Sequence, residues 1–128
     1  MLFRSYLSTH KAVAQVTYPE LPSHPDYELA KQLFPNGVSA VVSFEVKGGK
    51  LAGKTFIEKL NLFSHLANIG DAKSLVIQPA TTTHFRMDAA ALKASGISEG
   101  TIRLSIGLEH ADDLIEDLSR ALSASQKI

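Results

Sequence analysis

The chain has 128 residues, of which 45% are hydrophobic and 20% charged, and its 13 basic residues balance its 13 acidic ones. That length suits one domain with a real core, and the neutral balance excludes a global pull toward nucleic acid or an anionic membrane. With no cysteine, disulfides, thiolate catalysis and Cys-ligated zinc are excluded as well. No apolar run reaches the roughly 20 residues that span a bilayer, and the N-terminus carries no secretory signal. The expectation is a cytoplasmic α+β domain.

Leu2, Phe3, Tyr6 and Leu7 recur at helical spacing from the first residue, with no capping side chain before them. Residues 1–11 therefore read as the remnant of a linker helix, whose missing cap would leave Leu2, Phe3 and Leu7 partly exposed. Residues 12–18 alternate as a short strand stopped by Pro19 and Pro22. Ser23 or His24 can cap a helix with Pro25 in its first turn, burying Leu29, Ala30 and Leu33 before the Pro35-Asn36-Gly37 turn. Val38 to Lys47 predicts the clearest strand. Val38, Ala40, Val42, Phe44 and Val46 share one face, and Ser39, Ser43, Glu45 and Lys47 the other. Such alternation belongs to an antiparallel sheet with one covered face.

After Gly48-Gly49, a helix carries Ala52, Phe56, Ile57, Leu60 and Phe63 as its apolar stripe. A loop at 67–72 leads to a strand at 74–78. Asp88 is a good N-cap for Ala89 to Ala94, and Gly96 a good left-handed terminator. Thr101 to Gly107 forms the last strand. The final helix aligns Ala111, Leu114, Ile115, Leu118, Ala121 and Leu122. Asp112 and Asp113 in its first turn and Arg120 near its end suit the helix dipole. Asp112, Asp113, Glu116 and Asp117 read as its wet face.

Gly48 to Thr55, GGKLAGKT, matches the phosphate-loop pattern G-x-x-x-x-G-K-[ST] between a strand and a helix. On that reading Lys54 would reach nucleotide phosphates and Thr55 a magnesium ion. Three features oppose it. The apolar stripe begins at Leu51-Ala52, which puts Gly53 and Lys54 inside the helix. The next strand ends in Gln78, where a metal-binding aspartate is wanted. The preceding strand alternates, unlike the doubly buried strand of a parallel sheet.

Arg103 lies on the face opposite Ile102, Leu104 and Ile106, flanked by Thr101 and Ser105. A guanidinium so placed can grip a carboxylate bidentately, or simply pair with a surface acid. Asn68-Ile69-Gly70-Asp71 can present backbone amides to an anion or form a commonplace turn. Thr81-Thr82-Thr83-His84 can line a cleft or tie down its own loop. The histidines at 10, 24, 65, 84 and 110 show no metal-ligand spacing, and no Gly-x-Ser-x-Gly elbow is present. Neither a metal site nor serine hydrolysis is expected.

Two longer motifs, FSHLANIGDAKSLVIQPATTTH and GTIRLSIGLEHADDLIEDL, resemble the C-terminal domain of the Cys/Met-metabolism pyridoxal-phosphate enzymes. The flanking YPELPSHPDYELAKQLFPNGVSAVVSFEVKGGKLAGKTFIEKLNLFSH fits the same domain in order and spacing, so the resemblance spans essentially the whole chain. Asn-Ile-Gly-Asp-Ala-Lys is most similar to O-acetylhomoserine sulfhydrylases, which join sulfide to O-acetylhomoserine and release homocysteine and acetate. The resemblance implies that Arg103 binds the substrate α-carboxylate, with Asn68 helping through its backbone and Thr83 standing near the cleft. It also implies pyridoxal phosphate as the family's cofactor. The Schiff-base lysine, the aspartate on the pyridine nitrogen and the phosphate cradle belong to a large cofactor domain that no part of this chain resembles. Gln78 stands where a histidine is usual, Glu20 where a glycine is common, and Phe85 where a serine is typical.

The expected fold is α+β: a mainly antiparallel sheet of about four strands with helices packed on one face. Residues 1–128 are read as one C-terminal domain without a cofactor domain. Such a chain has no catalytic and no cofactor-binding residue of its own, so no pyridoxal phosphate is expected on it and the isolated chain is expected to be inactive. Its partner would be a small amino-acid substrate in a parent enzyme, with neither nucleic acid nor membrane. The alternatives are a non-catalytic module that assembles with a separate cofactor-domain chain or with its own copies, and nucleotide binding at Gly48 to Thr55.

Overall fold

The computed structural model describes residues 2–127, and of Leu2 only the backbone. In chain order the elements are α1 (Leu2–Thr9), β1 (Val13–Thr17), α2 (Tyr27–Leu33), β2 (Val41–Val46), α3 (Gly49–Glu58), β3 (Ser64–His65), β4 (Leu75–Ile77), a 3-10 turn at Pro79–Thr81, α4 (Ala89–Ala94), β5 (Thr101–Ser105) and α5 (Ala111–Ser125). The strands make one sheet in the order β1-β2-β5-β4-β3. Its pairs are antiparallel except β3 with β4, which is parallel. The α+β class and the mainly antiparallel sheet are as expected, but there are five strands rather than about four. The extra one is the two-residue Ser64–His65, too short to show any period.

The alternation along β2 sets the core. Val42, Phe44 and Val46 are buried beside Ile102 and Leu104 of β5 and Val76 of β4. Onto this face pack Phe3 and Leu7 from α1, Ala52 and Phe56 from α3, and Leu114, Leu118, Ala121 and Leu122 from α5. The Phe44 and Phe56 rings meet edge to face at 5.6 Å, the arrangement their quadrupoles favour. Of Leu2, Phe3 and Leu7, the Leu2 side chain lies outside the described residues, and Phe3 and Leu7 are buried, not partly exposed: α1 is held by its apolar stripe against the body, so it needs no cap to be stable.

Several local readings need correction. The strand at 12–18 does not alternate strictly. Val13 faces Val46 and Gln15 faces Glu45, so Ala14 is an extra residue and Val13 joins Val16 on the core side. The proline-led helix starts later, at Tyr27, capped by the backbone of Asp26 without a side-chain bond. His24 instead folds back, its Nδ1 accepting from the Asp26 amide. With only seven residues, α2 fully buries just Ala30, leaving Leu29 and Leu33 52% and 62% exposed. Val38 and Ala40 lie before β2 rather than in it.

Asp117 is not on the wet face of α5. It is 5% exposed, its carboxylate accepts from the amides of Asn61 and Leu62, and it pairs with Arg120. Arg120 also donates to the Lys59 carbonyl at 2.6 Å. Together they satisfy the backbone where α3 ends. Glu20 has a structural task too: its Oε1 accepts from the Val38 amide while its carbonyl accepts from Arg4.

Candidate carboxylate site on the sheet face

Residues directly opposite one another in a sheet point to the same face. The register therefore sets Thr17, Ser43, Arg103 and Ile77 in one row across the side away from the helical core. Arg103 is on β5, the middle strand of the five-stranded sheet. Its Nη2 donates to the Asn68 carbonyl at 3.3 Å. None of the ion pairs among the described residues involves it; these join Lys31 to Glu28, Lys54 to Glu58, His110 to Asp112 and Arg120 to Asp117. A guanidinium offers five N–H donors, so this one keeps most of its capacity for an oxyanion. Two residues along, Ser105 is 2% exposed and its Oγ has no hydrogen-bond partner.

The Asn68 loop is built from local turns. Asn68 Oδ1 accepts from the Ile69 amide, Gly70 takes φ 79°, and Asp71 Oδ1 accepts from the Lys73 amide. Left-handed φ is cheap only for glycine. At the loop's far end, Ser74 is fully buried and held by Glu109, a residue that escapes any reading of motif spacing. Burial pushes the Glu109 carboxyl up, but the amide and hydroxyl bonds from Ser74, with the nearby Lys73 charge, outweigh it and hold the group below the usual carboxylate range.

Thr83 sits elsewhere in its bonding. Its Oγ1 shares a hydrogen bond with His84 Nδ1 at 2.8 Å, and no bond joins it to Arg103 or Asn68. Thr81 and Thr82 tie back to Gln78, whose own Nε2 donates to the carbonyls of Lys50 and Glu99. The structure thus brings Arg103 and Asn68 together and leaves Thr83 in the neighbouring loop.

The phosphate-loop letters are spent on packing. Gly53, Lys54 and Thr55 lie inside α3, where their amides are bound within the helix rather than free to cradle an anion. Gln78 fills the space beside Gly53. Every lysine is exposed, whereas a Schiff-base lysine is activated by desolvation or a neighbouring cation in a pocket. Among the described residues, no group of three or more His, Asp or Glu side chains could hold a metal, and no helix is long and apolar enough to cross a membrane.

Comparison with known proteins agrees with the motif-level resemblance. The chain is 44% identical over 118 residues to O-acetyl-L-homoserine sulfhydrylase 1 of Thermus thermophilus, covering 92% of this chain and 28% of that protein. It is 43% identical to the homocysteine synthase of Schizosaccharomyces pombe, with 94% and 28% covered. A solved structure of a Campylobacter jejuni protein described as an O-acetylhomoserine (thiol)-lyase, containing N'-pyridoxyl-lysine-5'-monophosphate, superposes with a TM-score of 0.87. That match has 41% identity and covers 94% of this chain and 28% of that one. The chain therefore spans a little over a quarter of the length of these relatives. The model of the Cys/Met metabolism PLP-dependent enzymes matches residues 2–123. With that match taking in nearly every residue, the chain belongs to the Cys/Met metabolism PLP-dependent enzyme family.

Proposed function

We propose that residues 1–128 are the C-terminal, substrate-carboxylate-holding domain of an O-acetylhomoserine sulfhydrylase-like enzyme. The parent reaction would join sulfide to O-acetylhomoserine, giving homocysteine and acetate, in the cytoplasm. Pyridoxal phosphate would be held by other residues of a longer protein, so the 128-residue chain alone is inactive. The observation that carries this reading is Arg103: unpaired with any acid, central on the sheet face, and steadied by the Asn68 carbonyl. In that role Arg103 grips the α-carboxylate through two parallel N–H bonds. Asn68 orients the guanidinium from behind, and Thr83 offers a hydroxyl at the rim. Of the residues that suggested an assembling module instead, Phe3 and Leu7 are buried, which favours the single-domain reading.

The test is a titration of the chain with O-acetyl-L-homoserine, following the Arg103 side-chain nitrogens by NMR. Because the site is open to water, binding is expected at about millimolar strength, and Arg103→Ala should abolish it. The same chain mixed with pyridoxal phosphate, sulfide and O-acetyl-L-homoserine should make no homocysteine. A lysine-linked pyridoxal absorbance that survives dialysis, together with homocysteine formation, overturns the reading.

A further inference from the structure

Arg103 and Ser105 lie on one face of β5, and past the end of the strand the chain runs on through Gly107 and Glu109. The last two close on the Asn68 loop. Glu109 Oε1 accepts from the Ser74 amide at 2.8 Å, and Oε2 accepts from the Ser74 hydroxyl at 2.7 Å. That hydroxyl oxygen in turn accepts from the Gly107 amide at 2.8 Å, and the Leu108 amide donates to the Ala72 carbonyl at 2.8 Å. Gly107 lies so close that a Cβ on it would stand 2.2 Å from the Ala72 oxygen and 2.7 Å from the Ser74 nitrogen. Four bonds and one close approach thus fasten the end of the loop to the continuation of the strand that bears Arg103.

We propose that Glu109, acting through Ser74, is a positioning residue for the Arg103 carboxylate site. The latch sets how far the Asn68 carbonyl stands from the guanidinium, and so the angle at which Arg103 presents its free N–H groups. A carboxylate suits this task better than an amide side chain. It accepts from two donors on one residue at once, whereas a glutamine would turn its NH2 group toward one of them. Glu109 reaches the ligand only through the loop and is not itself a contact. The proposal rests on the carboxylate reading of Arg103, and its experiment separates the two.

Glu109→Gln and Ser74→Ala are compared with the unaltered chain in two measurements: titration with O-acetyl-L-homoserine, and amide hydrogen exchange along residues 68–73. Each variant should weaken binding by about five- to tenfold, the equivalent of one or two lost hydrogen bonds. Exchange at Ile69 and Lys73 should speed by about tenfold while amides of α5 stay protected, which distinguishes a freed loop from a loosened fold. Adding either change to Arg103→Ala should cost no further affinity. If Arg103→Ala abolishes binding but both latch variants bind normally, the positioning role is wrong and the carboxylate reading stands. If the unaltered chain does not bind, or Arg103→Ala binds as well as it does, the carboxylate reading fails. Loop exchange still decides the latch in that case: unchanged protection in both variants overturns it.

Discussion

The Nε2 of Gln78 lies 2.3 Å from where a Cβ on Gly53 would stand. The third glycine of GGKLAGKT is therefore a packing glycine, set by a buried glutamine that bonds to two backbone carbonyls. Gly→Ala inside an exposed helix ordinarily stabilises by about 1 kcal/mol. Here Gly53→Ala must push Gln78 off its partners, and a loss of about 2 kcal/mol is expected, the scale of overpacking plus a strained hydrogen bond. Urea denaturation checks the sign. Lys54→Ala should leave stability within about 0.5 kcal/mol, since its ion pair with Glu58 is exposed on both sides.

Asp117 should be among the most sensitive polar positions. Asp117→Ala removes the acceptor for two amides and the partner of Arg120. A loss of about 3 kcal/mol is expected, read as a lower urea midpoint with an unchanged slope. Asp112→Ala, at an exposed first-turn site, should cost under about 1 kcal/mol through the helix dipole.

The depressed carboxyl of Glu109 makes the latch acid-sensitive. A carboxylate whose folded-state value lies below its unfolded one contributes stability above the unfolded value and loses it as pH falls through the folded one. The contribution of Glu109 is therefore whole near neutrality and fades only below the ordinary carboxylate range. The stability gap between the unaltered chain and Glu109→Gln should be widest at neutral pH and close on acidification. A gap that widened toward acid would show the sign to be wrong.

Arg103 should matter little to folding. Its one recorded bond is long, and the side chain has no acidic partner. Arg103→Lys is expected to shift stability by no more than about 0.5 kcal/mol. Because an ammonium cannot make the bidentate fork, it should still weaken O-acetyl-L-homoserine binding by about tenfold. Thermal melts and the NMR titration, run on the same sample, separate the two effects.

What could be seen in the residues alone was whatever repeats or caps locally. Val42, Phe44 and Val46 alternate into the core, Asp88 accepts from the Ala91 amide, and Gly96 takes its left-handed turn. The placement of GGKLAGKT inside a helix followed from the register of its apolar stripe. What escaped was decided by groups far apart in the chain. Asp117 looks like a surface acid until Asn61 and Leu62 arrive beside it. Ser74 and Glu109 are 35 residues apart and carry no shared motif. The bulge at Ala14 is invisible because β2 imposes it, and Leu29 and Leu33 looked buried because periodicity says which face is apolar, not whether anything covers it. For the candidate site, spacing alone put Arg103 outward; only its resemblance, and then Asn68 beside it, singled it out from an ordinary surface arginine.

Both margins of the sheet are blunted. At one, Ala14 interrupts the pairing of β1, and at the other β3 offers just two residues. Bulged and very short edges are poor templates for adding a further strand. Copies of this domain are thus discouraged from joining edge to edge into fibrous assemblies. Contacts with other polypeptides are thereby steered from the margins of the sheet to the broad surfaces of the domain, one of which carries Arg103.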